Sequence, residues 1–338
     1  MPSSLFSMRA LRGRSASLTH TLEQAQQAAR SFTAKLPTGS LPADFVPSLL
    51  ARVLPGSALG LKPGAPATDM QAGSFTAKAG TRPYRLFIPR HAAPRPALIV
   101  MLHGCTQTPE NFAAGTRMNA LAGQAGAYVL YPAQLASANA QRCWNWFNPA
   151  DQQPEGGEAG IIAAMTQAIA AEHRIDPAQI FAAGLSAGGA QAAILGATHP
   201  EIFSAIGVHS GLACGAARDL PTALAAMRQG HAGQGTYRTR TIIFQGDRDT
   251  TVAAANAAAL ATQFAPAATG PTRTETGTAE GGLTYTRIIR STLTGRPALE
   301  QWIIHGGAHA WSGGSPAGTY TEPSGPDASR AMLSFFLA

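Results

Sequence analysis

The 338 residues are 45% hydrophobic and 13% charged and include 36 glycines and 24 prolines, a balance that gives a globular chain with a sizeable core and many turns. The formal net charge of +7 favours anionic surfaces, but the Arg and Lys residues are spread along the chain without zinc-finger spacing, an RNA-binding aromatic motif or a basic helix, so nucleic acid is set aside as a partner. Three cysteines, Cys105, Cys143 and Cys214, allow one bridge at most and lack metal-ligand spacing, which excludes a dense disulfide framework and leaves no metal expected.

Taken in chain order, the apolar stretch after Met1 is too short for a secretory core, and no segment approaches a membrane span. As written, the chain is expected to be soluble and cytoplasmic, with export as the alternative. Leu18, Leu22, Ala25, Ala29 and Phe32 recur at helical spacing, and residues 36–66 are rich in Pro, Gly and Ala. This predicts an N-terminal arm over 1–70 and a compact domain over 71–338. Residues 74–79 and 84–88 alternate as a hairpin turning near Gly80. Short apolar runs at 97–102, 128–131, 180–185, 205–208, 241–244 and 301–304 read as buried strands. Helical patterns at 159–172, 188–197, 253–264 and 327–336 alternate with them, which predicts an α/β fold: a mostly parallel sheet covered by helices on both faces. The stretch between Ser210 and Arg240 is too short for a large cap, so an open groove is expected.

Where the run 180–185 gives way to a small-residue helix stands Gly184-Leu185-Ser186-Ala187-Gly188. A G-x-S-x-G pentapeptide between a strand and a helix lifts a serine hydroxyl off the sheet on a sharp, strained turn. The hydroxyl needs a base, and the base needs a carboxylate to orient it. Asp247 and Asp249 follow the run 241–244, and His305 and His309 follow the run 301–304. The order Ser, Asp, His is that of α/β-hydrolases. Asp249 is chosen because it lies deeper in its loop, leaving Asp247 to face solvent or pair with Arg248. His309 is chosen over His305 because it lies within the loop, with small neighbours. His209, at another strand end, is expected to be structural with a supporting contact open to it. The tetrahedral oxyanion requires fixed N–H donors, expected from Ala187 and from Cys105 in the His103-Gly104-Cys105-Thr106-Gln107 loop. Cys105 as a nucleophile has no base placed for it.

With that loop, Cys143-Trp144-Asn145-Trp146-Phe147, the segment from Gly184 to Gly189, and Gly307-Ala308-His309-Ala310-Trp311 in one order, the chain resembles the poly(3-hydroxybutyrate) depolymerase family of esterases from about Tyr84 onward. The resemblance implies an α/β-hydrolase fold, Ser186, Asp249 and His309 as triad, and a bridge between Cys105 and Cys143, with two buried thiols as the alternative. Relatives often carry His where this chain has Gln245, a departure expected to alter packing rather than chemistry. Trp144, Trp146 and Trp311 are expected to line the groove. No cofactor is expected. The expected substrate is a polyhydroxyalkanoate oligomer, amorphous polyester or short-chain ester, the family's polymer-binding module not being visible; feruloyl or acetylxylan esters are the alternative. A non-catalytic binding protein of the same fold, and an arm that associates with anionic polymers, remain the readings from other classes. Oligomeric state is not legible.

Overall fold

A computed structural model describes residues 70–338; the predicted arm and its helix lie outside the described residues. Strand β1 (Met70–Ala77) and β2 (Gly80–Phe87) form the expected antiparallel hairpin. The buried runs become β3 (Leu98–Leu102), β4 (Tyr128–Pro132), β5 (Ile180–Leu185), β6 (Ala205–His209) and β7 (Arg240–Gly246). Two strands that the pattern does not predict follow, β8 (Thr272–Thr278) and β9 (Thr284–Ser291), and then β10 (Pro297–Ile304). These ten strands form one sheet in the order β1-β2-β4-β3-β5-β6-β7-β10-β9-β8. Its six central members, β4 through β10 in that order, run parallel, and antiparallel hairpins flank them on either side. Two further short strands, β11 (Trp311–Ser312) and β12 (Thr321–Glu322), pair separately.

Helices cover both faces, as expected. They are α1 (Pro109–Thr116), α2 (Met118–Ala125), α3 (Gly157–Glu172), α4 (Ala187–Thr198), α5 (Leu220–Gln229), α6 (Ala255–Gln263) and α7 (Ala328–Leu337). The two-residue period of β3 shows how the faces divide. Leu98, Val100 and Leu102 join a core with Ile162 and Ile169 of α3, Ile194 of α4 and Leu260 of α6. Ile99 and Met101 enter a second core with Phe112, Met118, Met332 and Phe336. All five β3 side chains are fully buried, each stabilising the fold by about 1.5–3 kcal/mol for its apolar body. Between β6 and β7 the chain carries a single ten-residue helix, α5, so the carboxyl edge of the sheet bears no inserted cap domain there.

Candidate active site

Ser186 occupies the turn between β5 and α4 at φ 57° and ψ −120°, a conformation that a non-glycine residue rarely adopts. The surroundings enforce it. Its N–H donates to His209 O at 2.9 Å, and its carbonyl accepts from Ala190 N at 2.9 Å. A Cβ at position 188 would lie 2.0 Å from Leu102 O, so only glycine lets α4 pass this close to β3. The half-buried serine therefore stands at the positive end of a twelve-residue helix.

Asp249 follows β7, and its side chain is fully buried. Its Oδ1 accepts from Thr251 N at 2.9 Å and Val252 N at 2.8 Å. Its Oδ2 accepts from His309 Nδ1 at 2.7 Å and from Gln245 Nε2 at 3.2 Å. Burial alone would raise this carboxyl, but the hydrogen bond and charge of His309, with the Val252 and Thr251 amides, outweigh it and hold the group below the usual carboxylate range. Gln245 thus touches the acid directly, where only a packing role was expected. An amide ending an apolar run gives no sign of where it points.

The Asp249 and His309 loops interlock, since a Cβ on Gly246 would meet Gly307 O at 2.2 Å. With Nδ1 engaged, His309 turns Nε2 away from the acid. Neither Nε2 nor Ser186 Oγ has a hydrogen-bond partner among the described residues, and no hydrogen bond joins the two; such contacts commonly tighten only with substrate bound. Asp247 faces solvent, and its hydrogen-bond partners are His305 and Gly306 rather than Arg248. It accepts from Gly306 N at 2.7 Å and pairs with His305 Nδ1 at 3.1 Å, while His305 Nε2 meets Thr286 Oγ1 at 2.9 Å. This second Asp–His pair ties β7, β9 and β10 together at an exposed position. His209 is fully buried, stacked between Phe244 and Trp311, and its Nε2 accepts from Ser312 N at 3.0 Å. Burial, then the nearby His309, pushes its pKa down to about 3, so it is a neutral prop beneath the His309 loop.

The His103–Gln107 loop lies against the serine: a Cβ on Gly104 would sit 3.7 Å from Ser186 Cβ. Cys105 and Cys143 are joined by a disulfide, as the resemblance implies, and Cys214 is free and buried. Neither Cys105 N–H nor Ala187 N–H has an acceptor among the described residues. Behind the bridge lies a cluster that the sequence does not announce. Glu158, almost wholly buried at the start of α3, accepts from Asn145 N at 2.6 Å and Asn145 Nδ2 at 2.9 Å, from Gln134, and from Arg82 at 3.4 Å. Gln134 in turn donates to Cys143 O at 3.0 Å.

The tryptophans depart from expectation. Trp144 is 0% exposed and gives its indole N–H to His103 O at 3.1 Å; Trp311 is 1% exposed and gives its own to Ser329 Oγ at 3.0 Å. Trp146 is 5% exposed and packs edge-on to Phe147. All three are core residues with no broad face left for a groove: Trp144 lies against His103, Trp311 between Phe112 and His209, and Trp146 against Phe147. Among the described residues no group of three or more His, Cys, Asp or Glu side chains is arranged to hold a metal, and no helix is long and apolar enough to cross a membrane.

The model of the family described as esterase PHB depolymerase matches residues 82–284, more than half of the chain. The chain belongs to that family. Within this PHB depolymerase family match lie Cys105, Ser186 and Asp249, while His309 lies beyond it. The chain is 29% identical over 254 residues to poly(3-hydroxyalkanoate) depolymerase C of Paucimonas lemoignei, aligning 71% of itself with 61% of that protein. It is 32% identical over 166 residues to feruloyl esterase B of Neurospora crassa, aligning 49% of itself with 56% of that protein. It therefore spans less than two thirds of the length of either relative. The solved acetyl xylan esterase from Aspergillus awamori superposes with a TM-score of 0.62 at 21% identity, covering 79% of this chain and all of that one. The shared fold is that of the α/β-hydrolases.

Proposed function

We propose that this PHB depolymerase family member is a serine esterase working through an acyl-enzyme. Ser186 Oγ attacks the ester carbonyl, His309 Nε2 takes the hydroxyl proton and returns it to the leaving alcohol, and Asp249 holds the imidazole in the tautomer that leaves Nε2 free. The Ala187 and Cys105 N–H groups hold the oxyanion. Water, activated by the same histidine, then releases the acid. The observation that carries this reading is the strained Ser186 at the start of α4, on the sheet edge that also bears the hydrogen-bonded Asp249–His309 pair. Intact-mass labelling with an organophosphate tests it: one adduct on Ser186, absent from Ser186→Ala along with turnover of a short-chain ester, is expected. A wild type that takes no adduct and turns over no ester returns the non-catalytic reading, and activity retained in Ser186→Ala removes Ser186 as the nucleophile.

For substrate we infer hydroxyalkanoate oligomers, supported by the similarity to a poly(3-hydroxyalkanoate) depolymerase and by the single short helix between β6 and β7, which leaves room for an extended acyl chain. Feruloyl or acetylxylan esters are the second reading, favoured by the identity to a feruloyl esterase. Burial of all three tryptophans removes the flat aromatic wall that would have favoured a ferulate ring. Parallel turnover of hydroxybutyrate oligomers, methyl ferulate and acetylated xylan separates the two. The Cys105–Cys143 bridge favours work in an oxidising compartment over the cytoplasm; mass mapping of the bridge in protein from its native source checks this.

A further inference from the structure

Every backbone polar group next to Cys105 N–H on the oxyanion loop is already engaged. Gly104 N donates to Gln107 Oε1 at 2.9 Å, Gly104 O faces His103 Nδ1 at 2.8 Å and Gln107 N at 3.3 Å, and Cys105 O accepts from Thr106 Oγ1 at 2.6 Å. Gly104 C=O and Cys105 N–H belong to one peptide unit. The described chain contains no cis peptide, and in a planar trans unit these two groups point in opposite directions. Whatever fixes Gly104 O therefore aims Cys105 N–H.

His103 provides that fixing through a tautomer the backbone dictates. Its Nε2 lies 3.1 Å from Gln134 N, which can only donate, so Nε2 is the acceptor. The ring proton must then sit on Nδ1, where it donates to Gly104 O. The ring is 1% exposed and leans on Trp144, whose indole N–H holds His103 O. Gln134 is anchored in turn by Arg82 and Glu158 and donates to Cys143 O. Burial keeps the imidazole neutral, its pKa down at about 4, so the tautomer persists across the neutral range.

We propose that His103 is a positioning residue for ester hydrolysis, locking the Gly104–Cys105 peptide plane so that Cys105 N–H faces the oxyanion. The inference rests on the esterase reading above. His103→Asn keeps an N–H donor at the Nδ1 position, His103→Gln moves it out to the Nε2 position, and His103→Phe removes it. With an oxyanion donor mis-aimed, the Gln and Phe variants should lose about 10²-fold in kcat. KM should stay within about twofold and the Asn variant should recover most of the rate, because the contact acts in the transition state. The acid limb of the kcat profile should not move. Folded Gln and Phe variants with wild-type kcat, an Asn variant as slow as Phe, or a displaced acid limb would each overturn the proposal. Should the variants not fold, 15N NMR of the wild-type imidazole decides. The Nδ1–H tautomer is expected from about pH 5 to about pH 8, and an Nε2–H tautomer refutes it. A wild type that takes no organophosphate on Ser186 defeats the esterase reading instead, so the two failures are distinct.

Discussion

The Asp249 carboxylate accepts from two backbone amides, a glutamine and a histidine, and the catalytic role proposed for it can be tested against its neighbour Asp247. Asp249→Asn loses the acceptor that sets the His309 tautomer, and kcat should fall by about 10³–10⁴-fold with KM little changed. Asp247→Ala breaks only the exposed contacts to His305 and Gly306, so kcat should stay within about threefold. Steady-state kinetics on one short-chain ester compare the two; equal losses would reverse the choice of acid. Gln245→Leu removes a buried donor to the same carboxylate and should cost about 1.5–3 kcal/mol of stability in urea titration. At this scale the order of Ser186, Asp249 and His309 is legible because the chemistry calls for those residue types, in that order, just past the ends of parallel strands. The roles of Gln245, Glu158 and the tryptophans are not. Each depends on which way a side chain turns, and the same indole that suits a groove suits a core equally well.

Among the elements, the turn between β5 and α4 is the least tolerant. Gly188→Ala drives a methyl group into Leu102 O, and the expected loss is about 3 kcal/mol or more, read as a lowered midpoint in thermal unfolding together with lost activity. Cys143→Ser opens a bridge spanning 38 residues, with an expected loss of about 3–4 kcal/mol. Six buried strands and four helices were readable because each carries an unbroken apolar run or a clear helical period. α1, α2 and α5 were not: α1 and α2 are eight residues long and separated only by Arg117 at φ 55°, too short for a period to emerge, and α5 opens on a Leu-Pro pair within a stretch read as connection. β8 and β9 escaped for another reason. Thr, Arg and Glu fill most of β8, so the alternation that marks a half-buried strand is missing.

For the molecule as a whole, two buried histidines govern behaviour in acid. His103 and His209 are held down at about 4 and about 3, chiefly by burial, against about 6.5 in the unfolded chain. The unfolded state therefore binds protons first. Stability is full above about pH 6.5 and declines as pH falls toward the folded values, by a loss on the order of 3 kcal/mol for each histidine at about pH 4. Asp249, with its carboxyl held low, adds to the loss only below about pH 4, where its unfolded counterpart protonates. Urea titrations from about pH 8 down to about pH 4 should show this fall, and a flat profile would show that these rings are not held neutral.

Among the described residues the sheet ends on one side at β8, a strand whose outer side has no neighbour in their strand order. Such a margin is a template on which another chain can add a strand. Here Thr272, Arg273, Thr274, Glu275 and Thr276 occupy it, and Arg273 and Arg287 both reach Glu275. Charge and hydration there discourage molecules from zipping together in crowded solution. Replacing these three threonines with valine would keep the strand and remove that protection, and the variant is expected to self-associate more than the wild type as its concentration rises.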